Sequence, residues 1–472
     1  MNSNFKKASL LSAAAFVGLM ACKNDAKEET ALVEEESIPG INLEYMNTDV
    51  KPNDDFFNYV NGTWLKTTEI PDDQSTWGSF NELRKKTDAD ALAILDAAMS
   101  DNKDMEKIQV LPGSDQEKAV FLYQTIMDTI GRNKQGIEPI KPYLAKIDAI
   151  ENIDDLQAYM IEMEPLGGGG LYGFGVGSDP KDSNRNVAYL GGGSTGLPDR
   201  DYYVKDDADS KEKREKYVEF ITKMLQYLGE TEADANAEAK QILAFETRLA
   251  EAKMDKVDRR DARKRYNPRS IDQVQKMVPA INWKNFLSGI GVKEIDTVII
   301  GDLNYFNRLQ DVLAEGNVAD WKAYLRWDAF NGAAGKLSTD LETASWEFYG
   351  RELNGAKKQR PRDERALGEN IGDLGGVLAA YDALQLSFKE NGRPDNIDGF
   401  TPEQRFFMSW ATVWRTKMRD DALKTRIKTD PHSPGMNRAV QPLLNVDAFY
   451  EAFNIKAGDS MYIAPENRVR IW

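Results

Sequence analysis

A mainly α-helical fold with small β elements is what this sequence predicts, on three observations. Thr401-Pro402 with Gln404 three residues after the threonine is a capping box carrying proline at the first helical position. Behind it, Phe407, Trp410, Ala411, Trp414 and Met418 fall on one helical face. Tyr217, Val218, Ile221, Met224, Leu225 and Leu228 make a second such stripe, stopped by Gly229, and Ala233–Met254 has the pattern of a long amphipathic helix. Gly167–Gly196 is glycine-rich, with alternating runs at Leu171–Val176 and Asn186–Leu190 that predict a small β element. With 472 residues, 41% hydrophobic, 29% charged and nine Trp, the chain can build two or three domains with their own cores.

In chain order, residues 1–21 have the pattern of an export signal. Lys6 and Lys7 form a positive start, and Ala8–Ala21 is an apolar run too short for a comfortable membrane span. Leu19-Met20-Ala21-Cys22 resembles a lipobox, so cleavage before Cys22 and acylation of its thiol and new amino group would anchor the mature chain to a membrane of the cell envelope. Cys22 is the only cysteine, and disulfides therefore contribute nothing within the chain. Residues 22–44 are acidic and lack aromatics, the composition of a disordered tether. Net charge is −16, and losing Lys6 and Lys7 with the signal makes it −18. That balance argues against nucleic acid as a partner.

Order is expected from Asn53. Asp54–Leu65 is dense in aromatics, and its Asn61-Gly62 predicts a tight bend beside core residues. Ser114 and Glu117 form a capping box before Ala119, Leu122, Tyr123, Ile126 and Ile130, with Gly131 ending the run. The glycines of 167–196 lack the strand-to-helix spacing of a nucleotide loop. In Leu367–Gly376, Glu369 and Asp373 stand four residues apart on one helical face, beside a stripe of Ile371, Leu374, Leu378, Tyr381 and Phe388. Such a pair is either a solvated helix face or the ligand-bearing edge of a cleft.

Several strings together resemble the neprilysin and endothelin-converting-enzyme family of zinc metallopeptidases. Asp54–Trp64 resembles its opening D-D-F-[FY]-x-Y-x-N-G-x-W, and Leu367–Gly376 its G-E-N-I-[AG]-D-x-G-G. Gly196–Tyr203, Arg259–Asp261 with Tyr266-Asn267, and Trp346–Gly350 with Lys358–Arg362 resemble scaffold segments of the same family. His432–Arg438 resembles H-S-P-x-x-x-R, and Arg470-Ile471-Trp472 the C-terminal R-[VI]-W. The resemblance implies a two-lobed architecture, with residues 45–366 a mostly helical cap lobe. Residues 367–472, joined by some N-terminal segments, would belong to the zinc-bearing catalytic domain.

It also implies Zn2+, with Glu369 as third ligand and Asp373 orienting a zinc-bound imidazole. His432 would stabilise the oxyanion, and Arg438 would hold substrate. The family's other two ligands and its general base come from H-E-x-x-H. This sequence has one histidine, His432, and Arg365-Ala366-Leu367 joins the flanking motifs directly where relatives carry a block on the order of 100–200 residues. The catalytic lobe is therefore expected to be incomplete. The resemblance implies a zinc metalloendopeptidase that cleaves small extracytoplasmic peptides, and without two zinc ligands and the general base this chain is expected to be inactive. The alternative is a non-catalytic, lipid-anchored peptide-binding or envelope assembly protein.

Overall fold

A computed structural model describes residues 40–99, 111–168, 170–360, 374–430 and 432–469, with backbone alone at 374–376, 378 and 379. Helices dominate it. Six strands, β1 (Thr76–Gly78), β2 (Tyr172–Asp179), β3 (Asp182–Gly192), β4 (Asn267–Ser270), β5 (Thr297–Ile300) and β6 (Thr416–Met418), form two small sheets. The larger has order β2-β3-β5-β4, with β2 and β3 an antiparallel hairpin in which Phe174 faces Leu190. The smaller is an antiparallel ribbon of β1 and β6, with Trp77 opposite Lys417. No helix among the described residues is long and apolar enough to cross a membrane.

Two hydrophobic cores share no residue. The middle core runs from Ile140 to Leu353 and buries Trp283, Trp327, Phe245 and Tyr324 completely. The terminal core joins Ile41–Val60 to Val377–Met461, with Phe56 edge-on to Phe449 at 4.7 Å and Tyr381 stacked on Phe407 at 5.2 Å. The ordered part of the 22–44 tether is thus longer than its composition predicts. Ile41 is 3% exposed in the terminal core, and Leu43–Tyr45 is a 3-10 helix. The predicted 45–366 region also divides, because its first twenty residues pack with the C-terminal part of the chain.

The middle core rests on the antiparallel helices Ala208–Gln226 and Glu232–Ala252, opened by the side chains of Asp207 and Thr231. Gly229 turns between them at φ 97°, where a side chain would be strained. Glu246 is the buried hub. Its carboxylate accepts hydrogen bonds from the Gly196 amide at 2.9 Å, the Tyr203 hydroxyl at 2.7 Å and the Tyr217 hydroxyl at 3.1 Å. Tyr203 in turn accepts from the Leu197 amide and Tyr217 from the Trp327 indole, so both phenols must donate to Glu246. Arg132, also buried, donates to the carbonyls of Ile126, Gly335 and Leu337 and pairs with Glu342 at 3.1 Å.

Three local expectations give way to tertiary context. Asn61-Gly62 does not turn: it lies inside the Phe56–Thr67 helix. Asn61 is buried and donates to the Ala411 carbonyl at 3.0 Å. A Cβ at Gly62 would stand 2.7 Å from the Asn47 Cβ, so the glycine admits the Met46–Asn47 chain onto the helix. Gly62→Ala is expected to lower stability by about 1–3 kcal/mol by forcing that chain away, although alanine is the better helix former. A urea titration checks this, and unchanged or increased stability would refute the packing argument.

Gly131 does not end the Ser114 helix. That helix spans Asp115–Met127, and Asp128 caps a second one, Thr129–Gln135, by accepting the Gly131 amide at 2.8 Å. Ala119, Leu122 and Ile130 of the predicted buried stripe are exposed. Met418, finally, is not helical. The Pro402–Val413 helix ends early because the chain must turn at Trp414 to pair β6 with β1. Its capping box forms as expected, with Thr401 and Gln404 exchanging both hydrogen bonds.

Candidate functional site

The site is built where β1 and β6 bring distant parts of the chain together. Arg415, just before β6, is buried with its guanidinium 4.6 Å from the ring centres of both Tyr45 and Trp64, and it pairs with Glu82 at 2.6 Å. Ser79 ties the start of the Ser79–Met99 helix to the end of the Pro402–Val413 helix, donating its hydroxyl to the Thr412 carbonyl at 2.6 Å and its amide to the Arg415 carbonyl at 3.1 Å. The ribbon and both helix ends are thereby held rigid. Rigid backbone is what positions side chains for recognition.

Beside the ribbon lies a cavity of about 150 Å³. Phe80 and Trp414 form its aromatic wall, their rings 5.4 Å apart, and Thr76, Asn81 and Thr416 supply hydroxyl and amide groups. Arg426 and Arg438 make it cationic. The Arg438 guanidinium lies 3.8 Å from the Trp414 ring centre, a cation–π contact that orients its donors. A Cβ at Gly435 would meet the Trp414 carbonyl oxygen at 2.4 Å, so only glycine lets this loop close onto the wall. The volume is that of one side chain or terminal group, well below a whole drug-sized pocket of ~300–1,000 Å³.

His432 stands outside that lining and is about half exposed. Its Nδ1 lies 2.8 Å from Asp430 Oδ1, which also accepts the His432 amide. The other Asp430 oxygen pairs with Arg426 at 3.0 Å. Burial pushes the Asp430 carboxyl up, but the His432 hydrogen bonds and the Arg426 charge outweigh it and hold it below the usual carboxylate range. A carboxylate on Nδ1 fixes the ring's orientation and leaves Nε2 as its working atom.

Both His432 and Arg426 depend on the Asp420–Thr429 helix. Arg419 anchors its start on the carbonyls of Pro71 and Gln74, while Lys428 at its end pairs with Asp209 at 2.5 Å and covers the Tyr202 ring. Of the residues expected to act, Arg438 therefore lines the cavity, and His432 sits two residues beyond Asp430, which bridges it to the cavity's Arg426. Glu369, Asp373 and Cys22 lie outside the described residues. No sequence motif marks Phe80, Trp414 and Arg426 as site residues, because only the β1–β6 pairing brings them together. The Asp430-x-His432 spacing was the one available signal.

The model of Peptidase family M13 matches residues 52–391. This chain belongs to that family. Among curated relatives, an endothelin-converting enzyme homolog of Locusta migratoria is 28% identical over 322 residues, covering 64% of this chain and 43% of the relative. Neprilysin-3 of Drosophila melanogaster is 26% identical, covering 64% and 40%. The chain thus spans less than half the length of these M13 relatives. Among solved structures, a zinc metalloprotease of Mycobacterium tuberculosis in complex with an inhibitor superposes with TM-score 0.81 at 23% identity, covering 92% of this chain and 99% of that one. The PepO structure from Lactobacillus rhamnosis gives 0.69 at 17%. The mainly helical M13 fold with small sheets is shared with both.

Proposed function

We propose that this M13 chain, as written, holds small extracytoplasmic peptides without hydrolysing them, anchored to the cell envelope through an acylated Cys22. The observation that carries the reading is the cavity beside β1 and β6. An apolar side chain can pack against the wall made by Phe80 and Trp414, and a peptide carboxylate or carbonyl can accept from Arg438. The M13 relatives named as a neprilysin and an endothelin-converting enzyme homolog support a peptide as the ligand class.

Zinc in this family supplies a polarised water at the scissile carbonyl. A catalytic zinc site takes three protein ligands plus water. The residues of this sequence do not fit one: it holds a single imidazole, His432, where the family's H-E-x-x-H supplies two and a general base. No hydrolytic step is therefore assigned to this chain.

The test is calorimetric titration of the full chain with a panel of short peptides, with and without added zinc, alongside a fluorogenic cleavage assay. Binding without cleavage is expected. Arg438→Ala should weaken binding at least about tenfold, ~1.4 kcal/mol, by removing a charge-assisted donor. Zinc-dependent cleavage that a chelator abolishes would overturn the non-hydrolytic reading. Failure of every peptide to bind would overturn the recognition role.

A further inference from the structure

We infer that Asn391 is a site of self-modification, where the folded chain converts an asparagine to aspartate and isoaspartate. In an Asn-Gly pair the glycine amide nitrogen can attack the asparagine side-chain carbonyl carbon, because glycine carries no Cβ to obstruct it. The new C–N bond closes a cyclic imide, and the side-chain nitrogen leaves as ammonia. Water then opens the imide. Attack at the former side-chain carbonyl gives aspartate, and attack at the main-chain carbonyl gives isoaspartate, with the main chain rerouted through the side chain. One water enters and one ammonia leaves, and nothing is oxidised or reduced.

The ring closes only if the side chain can swing round and the glycine nitrogen can leave its hydrogen bond. The sequence has four Asn-Gly pairs, at Asn61, Asn331, Asn354 and Asn391. Three are locked. Asn61-Gly62 lies inside the Phe56–Thr67 helix, with Asn61 donating to the Ala411 carbonyl at 3.0 Å. Asn331-Gly332 lies inside the Val318–Ala333 helix, with Asn331 donating to the Tyr349 hydroxyl at 2.8 Å. Asn354 donates to the Tyr349 carbonyl at 2.7 Å, and the Gly355 amide, which would be the nucleophile, donates to the Arg351 carbonyl at 2.8 Å.

Asn391 differs on each count. It is the last residue of the Leu374–Asn391 helix and is exposed, donating only to the exposed Ser387 hydroxyl at 3.3 Å. Gly392 lies past the helix at φ 82°, with nothing within 4 Å of where a Cβ would stand. Residues 392–396 are exposed and have no regular structure. A helix end opens at almost no free-energy cost, whereas buried helices open only near the cost of unfolding. The product also alters its surroundings. Its carboxylate stands at the helix C-terminus, where the helix dipole disfavours negative charge, and close to Arg393, which pairs with Glu403 at 2.7 Å.

The test is incubation of the full chain in mildly alkaline buffer, followed by peptide mapping with mass spectrometry. In the folded chain Asn391 should convert at least about tenfold faster than Asn61, Asn331 or Asn354. In urea sufficient to unfold the chain the four rates should converge, because only the fold separates them. Asn391→Gln, at an exposed position, should remove the fast release of ammonia from the folded chain. An Asn391 that stays intact, a folded chain in which any of the other three keeps pace with it, an Asn391 that stays tenfold ahead in urea, or a Gln variant that still releases ammonia at the fast rate would each overturn the proposal.

Discussion

Glu246→Ala is expected to unfold the middle core at room temperature or leave it barely folded. The substitution strips the acceptor from three donors that the surrounding helices enclose: the Gly196 amide and the Tyr203 and Tyr217 hydroxyls. Each buried donor left unmade costs ~1–3 kcal/mol, so the three together are expected to cost about 3–9 kcal/mol. That is a large fraction of the ~5–15 kcal/mol that holds a domain together. Denaturant unfolding followed by tryptophan emission measures it, because Trp283 and Trp327 both lie in this core. A loss below about 1 kcal/mol would mean that water replaces the carboxylate and the hub is dispensable.

The same residue imposes a pH dependence. Burial pushes the Glu246 carboxyl up to about 7, against the opposing pull of the Tyr203, Gly196 and Tyr217 donors. A carboxyl raised on folding favours the folded state when protonated. Its contribution is full below the ordinary value near 4.5 and is lost as pH rises through about 7. The difference in stability between pH 5 and pH 8 from this group is about 2–3 kcal/mol. Glu246→Gln should flatten that difference while costing stability at every pH, and a pH series of thermal midpoints on both proteins decides it.

Arg132→Met should be nearly as damaging, at about 3–5 kcal/mol, the range for breaking a buried ion pair from one side. Glu342 would lose its guanidinium partner, and the carbonyls of Gly335, Leu337 and Ile126 would lose theirs. Those carbonyls mark where the Asp115–Gln135 segment meets the turn before the Thr339–Trp346 helix. Hydrogen exchange should therefore rise first in those two segments. Protection unchanged in both would show that the methylene stem, rather than the charge, does the holding.

Local chemistry made part of this legible. The Thr401–Gln404 box, the Tyr217 stripe with Gly229, and the β2–β3 hairpin depend on residues close in sequence, and each forms where the pattern puts it. Asn61-Gly62, Gly131 and Met418 failed for the converse reason. Each is decided by a partner the pattern cannot see: Ala411 and Asn47, the Asp128 carboxylate, and β1. The candidate site follows the same division. His432 and Arg438 stood out through a motif, whereas the cavity's aromatic wall exists only because Ser79 and Thr412 are tied across the fold. Glu246 and Arg132 carry no sequence mark of their burial, because nothing in an amphipathic helix pattern separates a buried charged hub from a solvated one.

The two cores also set a timetable for the chain as it is made. Every residue of the middle core precedes Ala356, so that part can fold while the remainder is still being synthesised. The Phe56–Thr67 helix emerges far earlier, yet its partners Phe407 and Phe449 come last. Asn61 and Ala411 are 350 residues apart. Closing that loop through an unfolded chain would be slow, but a folded middle core replaces most of it with a rigid spacer. Until then Phe56, Phe57 and Trp64 have no home, and a holding chaperone would find its target in that aromatic helix at the beginning of the fold.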